Sequence, residues 1–134
     1  VPEQIQKTVE ILKVDEERQV VTGPVLVPGE EDRHGDVVSR ENIEDVAYKF
    51  MEEYQNIDLM HTFEETGVPV GSFVTPSEME MGGETVKAGS WLISVRVTDE
   101  ETWQGIKSGE YTGFSIYGKG TRETIGEDEV EQYA

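Results

Sequence analysis

Ser115 lies in the segment Tyr111-Thr112-Gly113-Phe114-Ser115-Ile116-Tyr117-Gly118, whose alternation reads as a strand and not a turn. On such a strand Gly113, Ser115 and Tyr117 share one face, and Phe114 and Ile116 share the other. Glycines at 113 and 118 remove side chains near the hydroxyl, which would let a substrate backbone approach it closely. A serine hydroxyl is a weak nucleophile until a base takes its proton. With 0 Cys in the chain, thiolate nucleophiles, thiolate-bound zinc, iron–sulfur clusters and disulfides are excluded. The base candidates are therefore the 2 His and the carboxylates. His61 closes the run Ile57-Asp58-Leu59-Met60 just before a polar turn. There, one ring nitrogen can face the core and the other a cleft, and an imidazole titrating near about pH 6.5 suits proton transfer at neutrality.

The loop Asp32-Arg33-His34-Gly35-Asp36 admits three readings. Oxygen and imidazole ligands at alternate positions would suit a divalent ion, although the full calcium-loop pattern and an HExxH pair are absent. Asp36, just ahead of the helix that leads to His61, would hold the imidazole in the needed tautomer. Alternatively, the loop carboxylates cap backbone N–H groups, and His34 is an exposed residue.

Around these residues the pattern predicts a mainly β domain with two helices, an α+β fold most like a barrel or strongly curved sheet. Gln6 to Val14 alternates as one strand, and Arg18 to Val27 forms a hairpin with it, Pro24 marking an edge or bulge. Ser39 caps a helix whose apolar stripe is Ile43, Val46, Ala47, Phe50, Met51 and Tyr54. Short strands follow at Ile57–His61 and Val68–Val74. Gly82-Gly83 precedes the longest strand, Val86–Val97. Thr98 and Glu101 form a capping box for a second helix that turns Trp103 and Ile106 inward and stops at Gly109. The expected division is a domain over 1–120 and an acidic tail over 121–134.

Among the 134 residues, 29 carboxylates face 11 Lys and Arg, a net charge of −18. A duplex-binding protein neutralises phosphates with cations, so nucleic acid is excluded as a partner class. No apolar run is long enough for a bilayer span, and no membrane partner is expected. Val1 at the start and an acidic run at the end suggest part of a longer chain.

Read together and in order, several segments carry a resemblance. They are Gly23 to Gly29, Asp32-x-x-Gly35-Asp36, the amphipathic helix, Leu59-Met60-His61, Pro69-Val70-Gly71, Gly89-Ser90-Trp91, and Gly109-x-x-Thr112-Gly113-Phe114-Ser115-Ile116. From about Val20 to Gly118 the chain resembles the tailed-phage prohead proteases, and most of all the XkdF-like serine proteases. The resemblance implies a β-barrel flanked by helices, similar to the herpesvirus assemblins, and a capsid-maturation peptidase acting inside the procapsid in the bacterial host cytoplasm. It implies scaffold or coat-protein segments as substrates, a homodimer by the assemblin likeness, and no cofactor. His61 and Ser115 match the family's reacting pair. The herpesvirus enzymes add a second histidine after the serine, and this chain has none there. The third role is therefore assigned to Asp36, with Glu64 and His34 as rivals. The competing expectation is a catalytically inert β-barrel scaffold or assembly module, and behind it a metal-binding domain.

Overall fold

The computed structural model describes residues 3–54, 56–58 and 67–120. The fold is α+β: mainly antiparallel strands with two helices. β1 (Glu3–Glu10), β9 (Gly113–Gly120) and β4 (Asn56–Asp58) form one sheet in the order β1-β9-β4. β2 (Lys13–Asp15), β3 (Val20–Leu26), β8 (Trp91–Val97) and β5 (Gly67–Val74) form the second, in the order β2-β3-β8-β5. β6 (Met79–Met81) and β7 (Glu84–Val86) make a separate hairpin. Helix α1 (Arg40–Lys49) continues into a π-helical turn at Phe50–Tyr54, and α2 (Glu100–Lys107) joins β8 to β9. Among the described residues the strands thus form sheets of three, four and two strands.

The two sheets share one core, and β8 is buried on both faces, with Leu92 facing away from that core. Val9, Phe114 and Ile116 come from the first sheet, and Val21, Trp91, Ile93, Val95 and Val97 from the second. Helix α1 adds Ile43 and Ala47, the following turn adds Phe50, and α2 adds Trp103 and Ile106. The Phe50 and Trp91 rings meet at 5.5 Å with a 58° tilt, a favourable edge-on geometry. The indole N–H of Trp91 donates to Ser72 Oγ at 2.9 Å, so its buried polar atom is satisfied.

Several sequence expectations are corrected here. The strand expected over Gln6–Val14 breaks at Ile11-Leu12. Ile11 N–H donates to Thr112 C=O beside the first sheet, while Leu12 N–H donates to Thr22 C=O in the second. Two adjacent amides thus serve different sheets, and the chain turns a corner that alternation alone conceals. The strand expected over Val86–Val97 is interrupted between β7 and β8, where Gly89 has φ +83°. Val46 is 43% exposed, on the outer side of α1. The cap of α2 is Asp99, one residue beyond the expected Thr98, with its carboxylate accepting from the Thr102 N–H and hydroxyl at 2.9 and 2.7 Å. Ser39 caps α1 as its sequence suggests, accepting from Asn42 N–H. Pro24 sits at a bulge: the β3–β8 register shifts between Pro24 and Leu26.

Candidate active site

Ser115 lies on β9, the middle strand of its sheet, with Thr8 of β1 as Cα partner on one side and Asp58 of β4 on the other. Phe114 and Ile116 face the core, so Ser115 is on the opposite face. It is nevertheless fully buried, at 0% exposure. Its Oγ accepts a hydrogen bond from Gln6 Nε2 at 3.0 Å. Gly113 has a backbone reason to be glycine: a Cβ there would lie 2.7 Å from the Val9 carbonyl oxygen. The close approach of β1 therefore dictates this residue, whatever a substrate also gains from it.

His61 lies outside the described residues, as does Glu64. The register nevertheless fixes where the described chain stops, because Asp58, the Cα partner of Ser115, stands three positions before His61.

Asp36 has a definite partner. Lys7, on the buried face of β1 beside Val9, inserts its ammonium between the loop carboxylates and pairs with Asp32 Oδ2 at 2.7 Å and with Asp36 Oδ2. Asp32 is the hub of the loop. Its Oδ1 accepts from the His34 and Asp36 amides at 2.9 and 3.0 Å, and its carbonyl accepts from Gly35 N–H. Gly35 has φ +77°, a conformation favouring glycine, which accounts for Asp32-x-x-Gly35-Asp36 as a closed loop fastened by one lysine. The lysine ammonium occupies the place the metal reading gave to a divalent ion. Among the described residues no three of His, Asp and Glu converge as ligands.

Sequence reasoning overlooked Lys7, although a lysine in register with buried Val9 is a signal, because a charge on an apolar face demands a partner. It also overlooked Gln6 and Thr8. The clamped loop places His34 Nε2 3.3 Å from Thr8 Oγ1, so this histidine, although exposed, stands one strand away from Ser115.

A groove of about 210 Å³ opens beside this region, bounded by Thr8, Glu10, Arg33, Glu110, Tyr111 and Gly113. One wall is rigid because of α2. The Tyr111 ring packs where Gly105 lacks a side chain (a Cβ there would sit 2.1 Å from Tyr111 Cε2), and Tyr111 N–H donates to Gly105 C=O at 3.0 Å. The opposite wall, Arg33, belongs to the loop that Lys7 fastens.

Ser115 is thus a buried strand serine with a donor on its oxygen, near a groove, in a mainly β fold with two helices. Residues 8–125 match the family described as "Putative phage serine protease XkdF", and the chain belongs to that family. It is 42% identical over 126 residues to "Uncharacterized protein YqbD" of Bacillus subtilis (strain 168), covering 92% of this chain and 38% of that protein. It is 37% identical over 134 residues to "Phage-like element PBSX protein XkdF" of the same organism, covering 98% of this chain and 48% of that protein. The chain thus spans less than half the length of either relative. No solved structure matches it. Among the described residues no helix is long and apolar enough to cross a membrane.

Proposed function

We propose that the chain is the catalytic part of a serine endopeptidase of phage prohead maturation, which cleaves scaffold or coat-protein segments within the procapsid. Ser115 Oγ attacks the scissile carbonyl while His61 takes its proton. The resulting imidazolium protonates the leaving amine, and water, activated by the same imidazole, releases the acyl group. The observation that carries this reading is the register of β4 on β9. Asp58 is the Cα partner of Ser115, and the three residues from Asp58 to His61 span at most about 11 Å of extended chain. The pairing supports this reading only through Asp58, which lies three positions before His61 in the chain. Gln6, by donating to Ser115 Oγ, holds that side chain in place.

Asp36 is the orienting carboxylate in this proposal. Lys7 is shared between Asp36 and Asp32, so the cluster keeps one net negative charge, and the part of Asp36 is to fix a ring tautomer. Because Ser115 is fully buried, a peptide reaches it only after its cover is displaced. Extended segments would add as strands or lie along the sheet, the usual way a peptide meets β structure.

The test is processing of co-expressed scaffold protein by the full-length chain. Ser115→Ala is expected to abolish cleavage while the thermal transition stays within a few degrees. An unchanged cleavage pattern would leave the inert assembly module as the better description.

A further inference from the structure

The groove beside Ser115 carries information about what the site takes. Its residues connect directly to the serine: Thr8 is the Cα partner of Ser115, and Gly113 stands two positions before it on the same face of β9. Two residues along a strand span about 7 Å, the same distance that separates alternate side chains of an extended peptide. A peptide lying along this face with its scissile carbonyl at Ser115 therefore places a side chain within two residues of that bond in the groove. The walls are built in advance, one by the Tyr111 ring seated on Gly105 and the other by the loop fastened through Lys7.

The charge of the groove is uneven. Glu10 and Glu110 contribute two carboxylates and Arg33 one guanidinium. All three are exposed, and none is in an ion pair among the described residues. They stand in a chain of net charge −18, whose field draws cations toward its clefts. The Tyr111 ring supplies a surface for the methylene stem of a long side chain, and the carboxylates at the rim meet its charged head. We infer that this groove is a specificity pocket for a Lys or Arg side chain of the substrate, within two residues of the scissile bond, with Glu10 and Glu110 as the selecting groups. The inference rests on the peptidase reading for the position of the bond, but the binding itself does not require catalysis.

Two measurements separate these claims. The first is binding by the full-length chain carrying Ser115→Ala, using pools of blocked nonapeptides that are random except for a central Lys or a central Glu. The Lys pool is expected to bind at least tenfold more tightly at low salt, and Glu10→Lys with Glu110→Lys in the same chain is expected to reverse the order. Equal binding of the two pools, or a preference that survives the double reversal, overturns the inference. The second is cleavage of the same pools by the unaltered full-length chain, with the cut positions read by mass spectrometry. Cuts clustered within two residues of Lys support the inference. Cuts indifferent to Lys overturn it and leave the peptidase standing. Selective binding with no cutting at high protein concentration sustains the groove and removes the peptidase.

Discussion

Gln6 and Ser115 form the pair whose chemistry is most exposed to mutation. Gln6 Nε2 is a donor to the serine oxygen at 3.0 Å, and a neutral hydrogen bond of this kind contributes about 1 kcal/mol net. Gln6→Met removes the donor with little change in volume. It is expected to slow reaction of Ser115 with a serine-directed phosphonate by about fivefold to tenfold, followed by mass spectrometry of the modified peptide. Lys7 supplies a second residue-scale prediction. Its side chain is 11% exposed, against 22% and 19% for the Asp32 and Asp36 side chains it joins. Lys7→Met leaves two carboxylates facing each other in a partly buried place and is expected to cost about 2–3 kcal/mol in urea unfolding. Adding Asp32→Asn and Asp36→Asn removes the uncompensated charges and should recover much of that loss. Asp36→Asn alone distinguishes its two roles: as orienting acid it lowers peptidase activity well beyond its effect on stability, whereas as a fastening group it lowers both together.

At the scale of elements, α2 positions the groove wall, and its beginning and its packing face can each be tested. The Asp99 carboxyl is held below its ordinary value of 3.8 by the hydrogen bonds from the Thr102 side chain and backbone. A carboxyl lowered in the folded state contributes stability that is complete above its unfolded value and disappears as pH falls through the folded one. Comparing the wild type with Asp99→Asn, whose amide still caps but does not titrate, should give a constant difference above about pH 5. That difference should shrink on acidification below the ordinary value. Gly105→Ala tests the packing face. Alanine gains up to about 1 kcal/mol of helix propensity, but its Cβ would meet Tyr111 at 2.1 Å, and overpacking costs about 1–3 kcal/mol. The clash should win, so the variant should melt lower despite the better helix former. The same elements explain what was legible in the sequence. Strict alternation through Phe114, Ser115 and Ile116 located β9 and the face of the serine, and Ser39 and Gly109 marked helix ends, because these signals are local. The corner at Ile11-Leu12 was not legible, since alternation continues through it and only the sheet supplying each acceptor changes. Asp99 displaced Thr98 as the cap because both are acceptors and the helix start decides between them.

For the molecule as a whole, the dominant quantity is the charge of −18 carried by 134 residues. Self-repulsion at this density opposes compaction, and salt screens it. Raising sodium chloride from about 0.05 to about 0.5 M, where the Debye length falls to a few ångströms, should therefore raise the melting temperature by several degrees. A flat or falling response would mean that short-range pairs such as Lys7 with its two carboxylates outweigh the collective field. The candidate site was legible at this scale only in part. The order of motifs singled out Ser115, which lies on a middle strand, and His61, which lies outside the described residues, but the lysine that fastens the loop and the groove between loop and α2 arise from contacts between residues far apart in the chain. The central proposal is that Ser115 is activated by His61, which follows the described strand β4 by three positions. Its most direct measurement is labelling of the concentrated full-length chain with a serine-directed phosphonate, comparing the wild type with His61→Ala and quantifying the Ser115 adduct. The account predicts an adduct on Ser115 that His61→Ala reduces at least a hundredfold, a general base typically contributing about 10²–10⁴ in rate. A chain that leaves Ser115 unmodified, or one labelled equally well without His61, would contradict it.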